Sequence, residues 1–294
     1  MRILLLGKNG QLGWELQRCL GPLGPITAVD YPEIDLIDVD SLRAVIKTAQ
    51  PEVIVNATAY TAVDRAESES DLARRINSLA PGVMGEEANK HGAAVIHFST
   101  DYVFDGRKGR PFVETDAPNP LGVYGQSKLA GEQAVAASAQ AYLVLRTAWV
   151  YSLRRPSFVT KLLEWARTQS TLRLVTDQVS NPTWARALAE TTALLLARAG
   201  ADAPGWLEAR RGVYHLAGRG FASRMDWARA ILAHDPHPEQ RVVTELLPAQ
   251  TSDFPSPAER PLFSALDCSL FETTFGLQLP AWEESLKLAL EDAG

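Results

Sequence analysis

Short apolar runs alternate with longer segments of helical spacing through the first half of the 294-residue chain. Continuous apolar runs are typical of parallel strands that are buried on both faces. Apolar positions that recur every three or four residues indicate amphipathic helices. The predicted strands are residues 2–6, 26–30, 53–56, 94–99 and 142–146, and the predicted helices are 12–20, 41–49, 71–90 and 128–139. This alternation predicts an α/β fold, a Rossmann-like doubly wound parallel sheet.

The alternation weakens after residue 146. Helical spacing returns at 158–168, 184–198 and 282–290, strand candidates lie at 172–176 and 213–216, and residues 236–261 are rich in proline. Such a stretch is typical of loops and short strands. We therefore expect a Rossmann domain built from residues 1–150 and about 172–220. A smaller C-terminal lobe would comprise about 151–171 and 221–294.

The bulk composition excludes several classes of partner. The net charge is −6 and the chain has no basic run, so neither nucleic acid nor an anionic membrane surface is expected as the main partner. The first apolar run is too short for a membrane span or a secretory core, which predicts a cytoplasmic protein. Cys19 and Cys268 are far apart, and neither they nor the histidines form a ligand-spaced cluster, so no metal site is expected. His97, in the fourth predicted strand, is expected to be packed and hydrogen-bonded.

A glycine-rich loop joins the first predicted strand to the first predicted helix. It reads Gly7-Lys8-Asn9-Gly10-Gln11-Leu12-Gly13. Glycine lets the backbone turn tightly and approach a pyrophosphate, and the following helix points free N–H groups at the phosphates. The loop predicts a dinucleotide site in the first domain, and the second lobe would then bind the substrate.

Asp30 ends the second predicted strand, where a carboxylate can accept hydrogen bonds from the adenosine ribose. It would repel a 2′-phosphate and so favours NADH, although Lys8 could offset that repulsion. Asp35 and Leu36 are placed to flank the adenine ring.

Tyr124 and Lys128 are four residues apart, a spacing that puts both side chains on one face of a helix. A free tyrosine has a pKa of about 10, and a nearby ammonium would lower it toward neutral pH. The pair therefore predicts a tyrosine proton donor, with Lys128 also free to bind the nicotinamide ribose. Thr100 lies at the end of the fourth predicted strand, where its hydroxyl could hold a substrate carbonyl oxygen beside Tyr124.

Several segments together resemble the extended short-chain dehydrogenase/reductases, and more narrowly the dTDP-4-dehydrorhamnose reductase family. They are residues 7–13, 56–64, 99–106, 124–128, 146–151, 177–183 and 260–261, which span almost the whole chain. The resemblance implies a cofactor site with NADPH as coenzyme, NADH being possible, and a dTDP-linked 4-keto-6-deoxy sugar as substrate. The implied cofactor residues are Gly7, Gly10, Gln11, Leu12, Gly13, Asp30, Asp35, Leu36, Ala59, Tyr60, Thr61, Tyr124 and Lys128. The implied substrate residues are Thr100, Asp101, Tyr124, Trp149 and Arg260, the last reaching the diphosphate.

Three functions stay open on these residues. Related sugar-nucleotide dehydratases carry an Asp-Glu pair after the strand-end threonine, whereas Asp101 is followed by Tyr102, which favours simple reduction of the C4 ketone. A reductase of another nucleotide-linked 4-keto sugar would use the same chemistry. The third open function is that of a non-catalytic regulatory subunit that binds the cofactor. The presence of Thr100, Tyr124 and Lys128 argues against this third function.

The resemblance also implies a dimer held through Mg²⁺ bound by glutamates. Glu15 is present, but Arg186 stands where a second glutamate is expected, and a cation there would repel the metal. We therefore doubt that Mg²⁺ binds, and expect a monomer or a homodimer.

Overall fold

A parallel sheet of six strands forms the centre of the computed structural model, which describes residues 1–291. The strands are β1 (Ile3–Leu6), β2 (Ile26–Val29), β3 (Val53–Asn56), β4 (Ala94–Thr100), β5 (Ala141–Thr147) and, later in the chain, β10 (Gly212–His215). Their order across the sheet is β10-β5-β4-β3-β1-β2, and β1 pairs in parallel with both β2 and β3. The strand order reverses beside β1, which confirms the doubly wound fold.

Burial explains why these segments are strands. Every residue of β1, β3 and β4 is buried, and two hydrophobic clusters cover the two faces of the sheet. The helices are α1 (Gln11–Cys19), α2 (Val39–Ala49), α3 (Val63–Ala66), α4 (Ser70–Arg74), α5 (Ala80–His91), α6 (Val123–Ser138), α7 (Phe158–Thr168), α8 (Ala185–Ala199), α9 (Ala203–Glu208), α10 (Arg224–Ala233), α11 (Ser269–Phe275) and α12 (Trp282–Glu291).

Two predicted helices differ from the observed ones in ways that matter for the site. The helix predicted at residues 128–139 begins at Val123, so Tyr124 lies in its first turn. The single helix predicted at 71–90 is interrupted by a π-helical turn, Arg75–Leu79, where the buried Asn77 side chain bonds the backbone of Tyr60. Such π turns are frequent at functional sites.

A third hydrophobic cluster lies in the later part of the chain. It contains residues of α7, α10 and α12 and of β7 (Thr171–Val175), which pairs in parallel with β12 (Glu245–Ala249). The remaining short strands are β6 (Val150–Tyr151), β8 (Val179–Ser180), β9 (Thr183–Trp184) and β11 (Ala222–Ser223).

Two elements pack in a different cluster from the rest of their expected domain. β7 falls in the expected first domain, and its Leu172 and Leu174 pack in the third cluster. α11 falls in the expected lobe, and its Phe271 and Phe275 pack against the central sheet. Residues 292–294, which the predicted lobe includes, lie outside the described residues. No helix within residues 1–291 has the length and apolar character needed to cross a membrane.

Candidate active site

A cavity of about 1020 Å³ opens at the carboxyl ends of the central strands, beside the point where the strand order reverses. This is where ligands bind in open α/β sheets. Most of the predicted residues line it: Gly7, Gly10, Gln11, Leu12, Asp30, Asp35, Leu36, Ala59, Thr61, Thr100, Asp101, Tyr124, Lys128 and Trp149. Gly13, Tyr60 and Arg260 do not line the cavity.

The three glycines of the loop have different roles. Gly7 has a φ of +93°, which favours glycine, and a Cβ on Gly13 would lie 1.8 Å from the Gly7 carbonyl oxygen. Both are therefore required by the backbone itself. A Cβ on Gly10 would meet only that same oxygen, at 3.4 Å. Gly10 caps α1 without a side-chain hydrogen bond, which leaves the helix N-terminus open to a phosphate and fits a dinucleotide.

Asp30 is held by the glycine loop. Its Oδ2 accepts a hydrogen bond from the Asn9 backbone N–H at 2.9 Å, so the carboxylate is fixed at the cavity wall. Lys8, expected to offset the charge of Asp30, is instead paired with Glu33 at 2.6 Å. That contact lowers the pKa of Glu33, mainly through the hydrogen bond from Lys8.

Tyr60 contributes through its backbone. Its N–H donates to Asn77 Oδ1 at 2.8 Å and its carbonyl accepts from Asn77 Nδ2 at 3.1 Å. Its hydroxyl bonds Glu69. The π-helical turn thus anchors the loop after β3, which carries Ala59 and Thr61 to the cavity.

Tyr124 lies in the cavity wall with its ring against Tyr102, at a centroid distance of 5.6 Å. Burial raises the pKa of its phenol well above the usual value, and a hydrogen bond with Thr100 opposes that shift by less. The expectation that Lys128 would lower this pKa is therefore wrong for the structure. The phenol is held protonated, the form that a proton donor needs at neutral pH.

Lys128 is 2 % exposed and lies one helical turn after Tyr124. Its Nζ donates to the Phe98 carbonyl oxygen at 2.7 Å and lies 3.3 Å from Nε2 of His97. Burial lowers the pKa of Lys128 to about 8, although Glu132 acts in the opposite direction. The amine is thus turned toward β4, which explains why it does not stabilise a phenolate at Tyr124.

The Asp101 carboxylate accepts hydrogen bonds from three hydroxyl groups, one of which is that of Thr100. Its Oδ2 accepts hydrogen bonds from Ser180 at 2.9 Å and Ser264 at 2.5 Å, and its Oδ1 accepts one from Thr100 at 3.2 Å. Burial raises the pKa of this carboxyl, and the three hydroxyl donors partly offset that rise. Asp101 therefore links β4 to two segments of the later chain and orients the Thr100 hydroxyl.

Trp149 has a φ of +39°, an unusual backbone conformation for a bulky residue. Its ring stacks on Trp227 at 5.4 Å and on the Arg224 guanidinium at 3.6 Å. Arg224 forms no ion pair with any carboxylate of residues 1–291. Burial lowers its pKa to about 10, so it stays charged at neutral pH.

Arg260 is engaged elsewhere. Its Nη2 donates to Asp64 Oδ2 at 2.7 Å, and its side chain also hydrogen-bonds Tyr102. The hydrogen bond that Asp64 accepts from Arg260 is the main reason that the pKa of the Asp64 carboxyl is lowered. The arginine expected to reach the diphosphate is therefore paired with a carboxylate, whereas Arg224, beside Trp149, has no ion pair within residues 1–291.

Glu15 is buried, and its carboxylate oxygens lie 3.9 Å from both Arg154 and Arg186. Among residues 1–291 no three acidic, histidine or cysteine side chains group in a way that could hold a metal. The expected lack of Mg²⁺ and the oligomeric state remain predictions.

Sequence reasoning missed some residues of the site. Asn9, Thr58, Ser99, Thr147 and Arg155 also line the cavity, and Arg224 stacks on its wall. Asn9 and Thr58 could have been found as neighbours of the glycine loop and of β3. Arg224 does not itself line the cavity, and it carries no such signal, because its contact with Trp149 depends on the packing of α10.

Comparison with known proteins places this geometry in a family. The family model described as RmlD substrate binding domain matches residues 1–294. A dTDP-4-dehydrorhamnose reductase of Burkholderia thailandensis is 40% identical over 296 residues, covering 99% of each chain.

Two solved structures are also similar over the whole chain. A dTDP-4-dehydrorhamnose reductase of Clostridium acetobutylicum has a TM-score of 0.91 and 34% identity, covering 100% of this chain and 99% of that one. One from Bacillus anthracis, in complex with NADP, has a TM-score of 0.89 and 30% identity, covering 99% of each chain. By sequence and structure alike, this chain belongs to the dTDP-4-dehydrorhamnose reductase family.

Proposed function

We propose that this chain reduces the C4 ketone of dTDP-4-dehydro-6-deoxy-L-mannose to dTDP-L-rhamnose with NADPH, the last step of dTDP-rhamnose biosynthesis. One observation carries the proposal: Thr100, Tyr124 and Lys128 line the same cavity as the glycine loop. The names of the relatives support the substrate, and the NADP complex of the Bacillus anthracis protein supports the coenzyme.

Each of these side chains has a role in ketone reduction. NADPH, when bound, supplies the hydride that C4 accepts. Tyr124 donates its phenolic proton to the carbonyl oxygen, where negative charge develops. Thr100, whose hydroxyl donates to Asp101 Oδ1 in the structure, would turn that one proton to the carbonyl oxygen and donate a hydrogen bond to it. The Lys128 side chain binds the nicotinamide ribose, and its ammonium form stabilises the charge.

The acids of the cavity favour reduction over dehydration. Among the described residues, the carboxylates that line it are Asp30, Asp35 and Asp101. Asp30 is bound to the glycine loop, Asp35 accepts from the Ile37 backbone N–H, and Asp101 accepts from three hydroxyls. All three carboxylates are thus engaged in hydrogen bonds within the protein, which argues against one of them serving as the base that elimination of water requires.

Arg224 is proposed to bind the substrate diphosphate. Replacing Arg224 with alanine is expected to raise the KM for the nucleotide sugar about ten- to a hundredfold with a much smaller change in kcat, since charge-assisted hydrogen bonds to the phosphates are lost. Arg229→Ala is the matched control, because Arg229 lies on the same helix but is exposed and paired with Asp226. Steady-state kinetics with saturating NADPH would measure both. An unchanged KM in Arg224→Ala would contradict the assignment.

Glu33 is proposed to limit the preference for NADPH, because it pairs with Lys8, the lysine of the glycine loop. Glu33→Gln is expected to release Lys8 and to improve kcat/KM for NADPH relative to NADH by roughly two- to fivefold, the scale of an exposed charge interaction. Glu52→Gln, which removes a carboxylate paired with Arg2 instead, is expected to leave the ratio unchanged. Equal ratios in wild type and Glu33→Gln would exclude this role for Glu33.

The proposed activity is tested by turnover with both coenzymes against dTDP-linked and other nucleotide-linked 4-keto sugars. Oxidation of NADPH with only the dTDP sugar supports the proposal. Preference for another nucleotide would make the chain a reductase of a different sugar. Coenzyme binding without any turnover would favour the regulatory subunit.

Two further points belong to this proposal. We place α11 with the Rossmann domain and β7 with the substrate-binding lobe, following the clusters in which they pack. We also propose that the enzyme works in the cytoplasm.

A further inference from the structure

His97 is a fully buried histidine near the middle of β4. Its Nδ1 lies 2.9 Å from Nδ2 of Asn56, at the end of β3, and its Nε2 lies 3.3 Å from Nζ of Lys128. This confirms the packed, hydrogen-bonded histidine expected from the sequence. It also connects the histidine to a residue of the proposed active site.

The neighbours of Asn56 fix the position of the proton on the imidazole. Asn56 Oδ1 accepts hydrogen bonds from the Thr58 backbone N–H at 3.0 Å and from its hydroxyl at 2.5 Å. An N–H requires an acceptor, so the amide oxygen faces Thr58 and the amide nitrogen donates to His97 Nδ1. Because Nδ1 accepts, the single proton of the neutral ring is on Nε2.

The imidazole is neutral in this setting. Burial, and to a smaller degree the charge of Lys128, holds the pKa of His97 well below its ordinary value. The Nε2–H therefore points at the Lys128 amine. A neutral amine can accept that hydrogen bond through its lone pair. An ammonium has only N–H donors, so two donors would face each other and the contact would be unfavourable.

We propose that His97 is a positioning residue for Lys128: when the Lys128 amine is neutral, as in mildly alkaline solution, the Nε2–H of His97 donates to it and holds it against the Phe98 carbonyl oxygen until the coenzyme binds. The negative charge of a bound dinucleotide favours the ammonium, so Nζ takes up one proton from solvent and turns from His97 toward the cavity. This inference rests on the proposed function, in which Lys128 serves the coenzyme and the ketone.

The other groups around Lys128 do not replace this effect. Tyr124 precedes it by one turn of α6 and is held protonated by burial. Glu132 follows it by one turn and favours the ammonium, but its carboxylate is already bound by Arg146 of β5 at 2.7 and 2.9 Å and by Ser99 of β4 at 2.5 Å. The pKa of Lys128 is lowered to about 8, mainly by burial, so the neutral amine prevails above that pH and the ammonium prevails below it. A change of charge on coenzyme binding is therefore expected on the alkaline side of pH 8.

The test is a titration of Lys128 in the protein without coenzyme. Protein labelled with ¹³C at lysine Cε gives one resonance per lysine, and the signal that disappears in Lys128→Arg is that of Lys128. We expect a midpoint near 8 in the wild type. His97→Gln can present an oxygen to Asn56 and an N–H to Lys128, and should preserve that midpoint.

His97→Phe removes the N–H donor and is expected to raise the Lys128 midpoint by about one pH unit, a tenfold change in proton affinity. A folded His97→Phe protein with the wild-type midpoint would overturn the inference. So would a wild-type Lys128 that titrates at the value of a free lysine.

If His97→Phe does not fold, the change of charge at Lys128 can be tested by measuring coenzyme binding to the wild-type protein. Calorimetry of NADP⁺ binding in two buffers of different ionisation enthalpy counts the protons taken up. Uptake at about pH 9 that vanishes at about pH 6.5 is expected, and no uptake at the higher pH would refute the switch. Neither measurement uses the sugar, so a failure of the proposed reductase activity would be seen separately.

Discussion

Tyr124→Phe is expected to lower kcat by about 10²–10⁴-fold, the usual contribution of a positioned general acid. The phenol is the protonated group that faces Thr100, and phenylalanine fills the same space without a proton to donate. The Kd for NADPH should stay within about twofold of the wild type, because removal of one hydroxyl leaves the glycine loop and Asp30 untouched. Stopped-flow oxidation of NADPH and fluorescence titration would give the two values.

A second buried tyrosine provides the matched control. The hydroxyl of Tyr151 has no hydrogen-bond partner within residues 1–291, and the side chain is fully buried. Tyr151→Phe should therefore leave kcat unchanged. Near-normal turnover in Tyr124→Phe would remove the proton donor from the mechanism, whereas equal losses in both variants would point to packing.

Glu132→Ala is expected to destabilise the fold by about 3–5 kcal/mol, because it leaves a buried guanidinium without its counter-ion. The Arg146 and Glu132 side chains are 4% and 3% exposed and form two hydrogen bonds, at 2.9 and 2.7 Å. Nη1 of Arg146 already has no hydrogen-bond partner among the described residues 1–291, so the loss of Glu132 would leave still more of the guanidinium unpaired. The free energy of unfolding in urea measures the loss.

Two further variants separate charge burial from loss of volume. The double variant Glu132→Leu with Arg146→Met removes both charges and is expected to recover most of the loss. Lys287→Ala breaks an exposed pair with Glu291 and should change stability by less than about 0.5 kcal/mol. A single variant as stable as the wild type would show that solvent reaches Arg146.

Local patterns were sufficient for the sheet and for the centre of the site. β3 and α7 have the predicted bounds, because an apolar run and a clear helical period both carry information within one segment. Gly10, Asp30 and Thr100 were found from their place at a strand end or a helix start, and Tyr124 and Lys128 from their four-residue spacing; all five line one cavity.

The rest depended on distant contacts. The start of α6 was placed five residues late, because Tyr124-Gly125-Gln126-Ser127 is polar and contains a glycine. Gly125 is present because a Cβ there would lie 2.2 Å from the Tyr102 carbonyl oxygen, a contact that no local pattern shows. The partners of Lys8, Lys128, Arg224 and Arg260 likewise come from segments far away in the chain.

The left-handed backbone at Trp149 has a consequence for attempts to improve this enzyme. Such a conformation costs on the order of 1–3 kcal/mol in a residue with a large side chain, and glycine would relieve it. Exchange of this indole for glycine would relieve the strain, but it would also lose the stacking on Trp227 and the aromatic surface against which Arg224 lies. An engineer who treats the unusual backbone as a defect to be repaired would therefore remove the support of the arginine that we propose for the diphosphate.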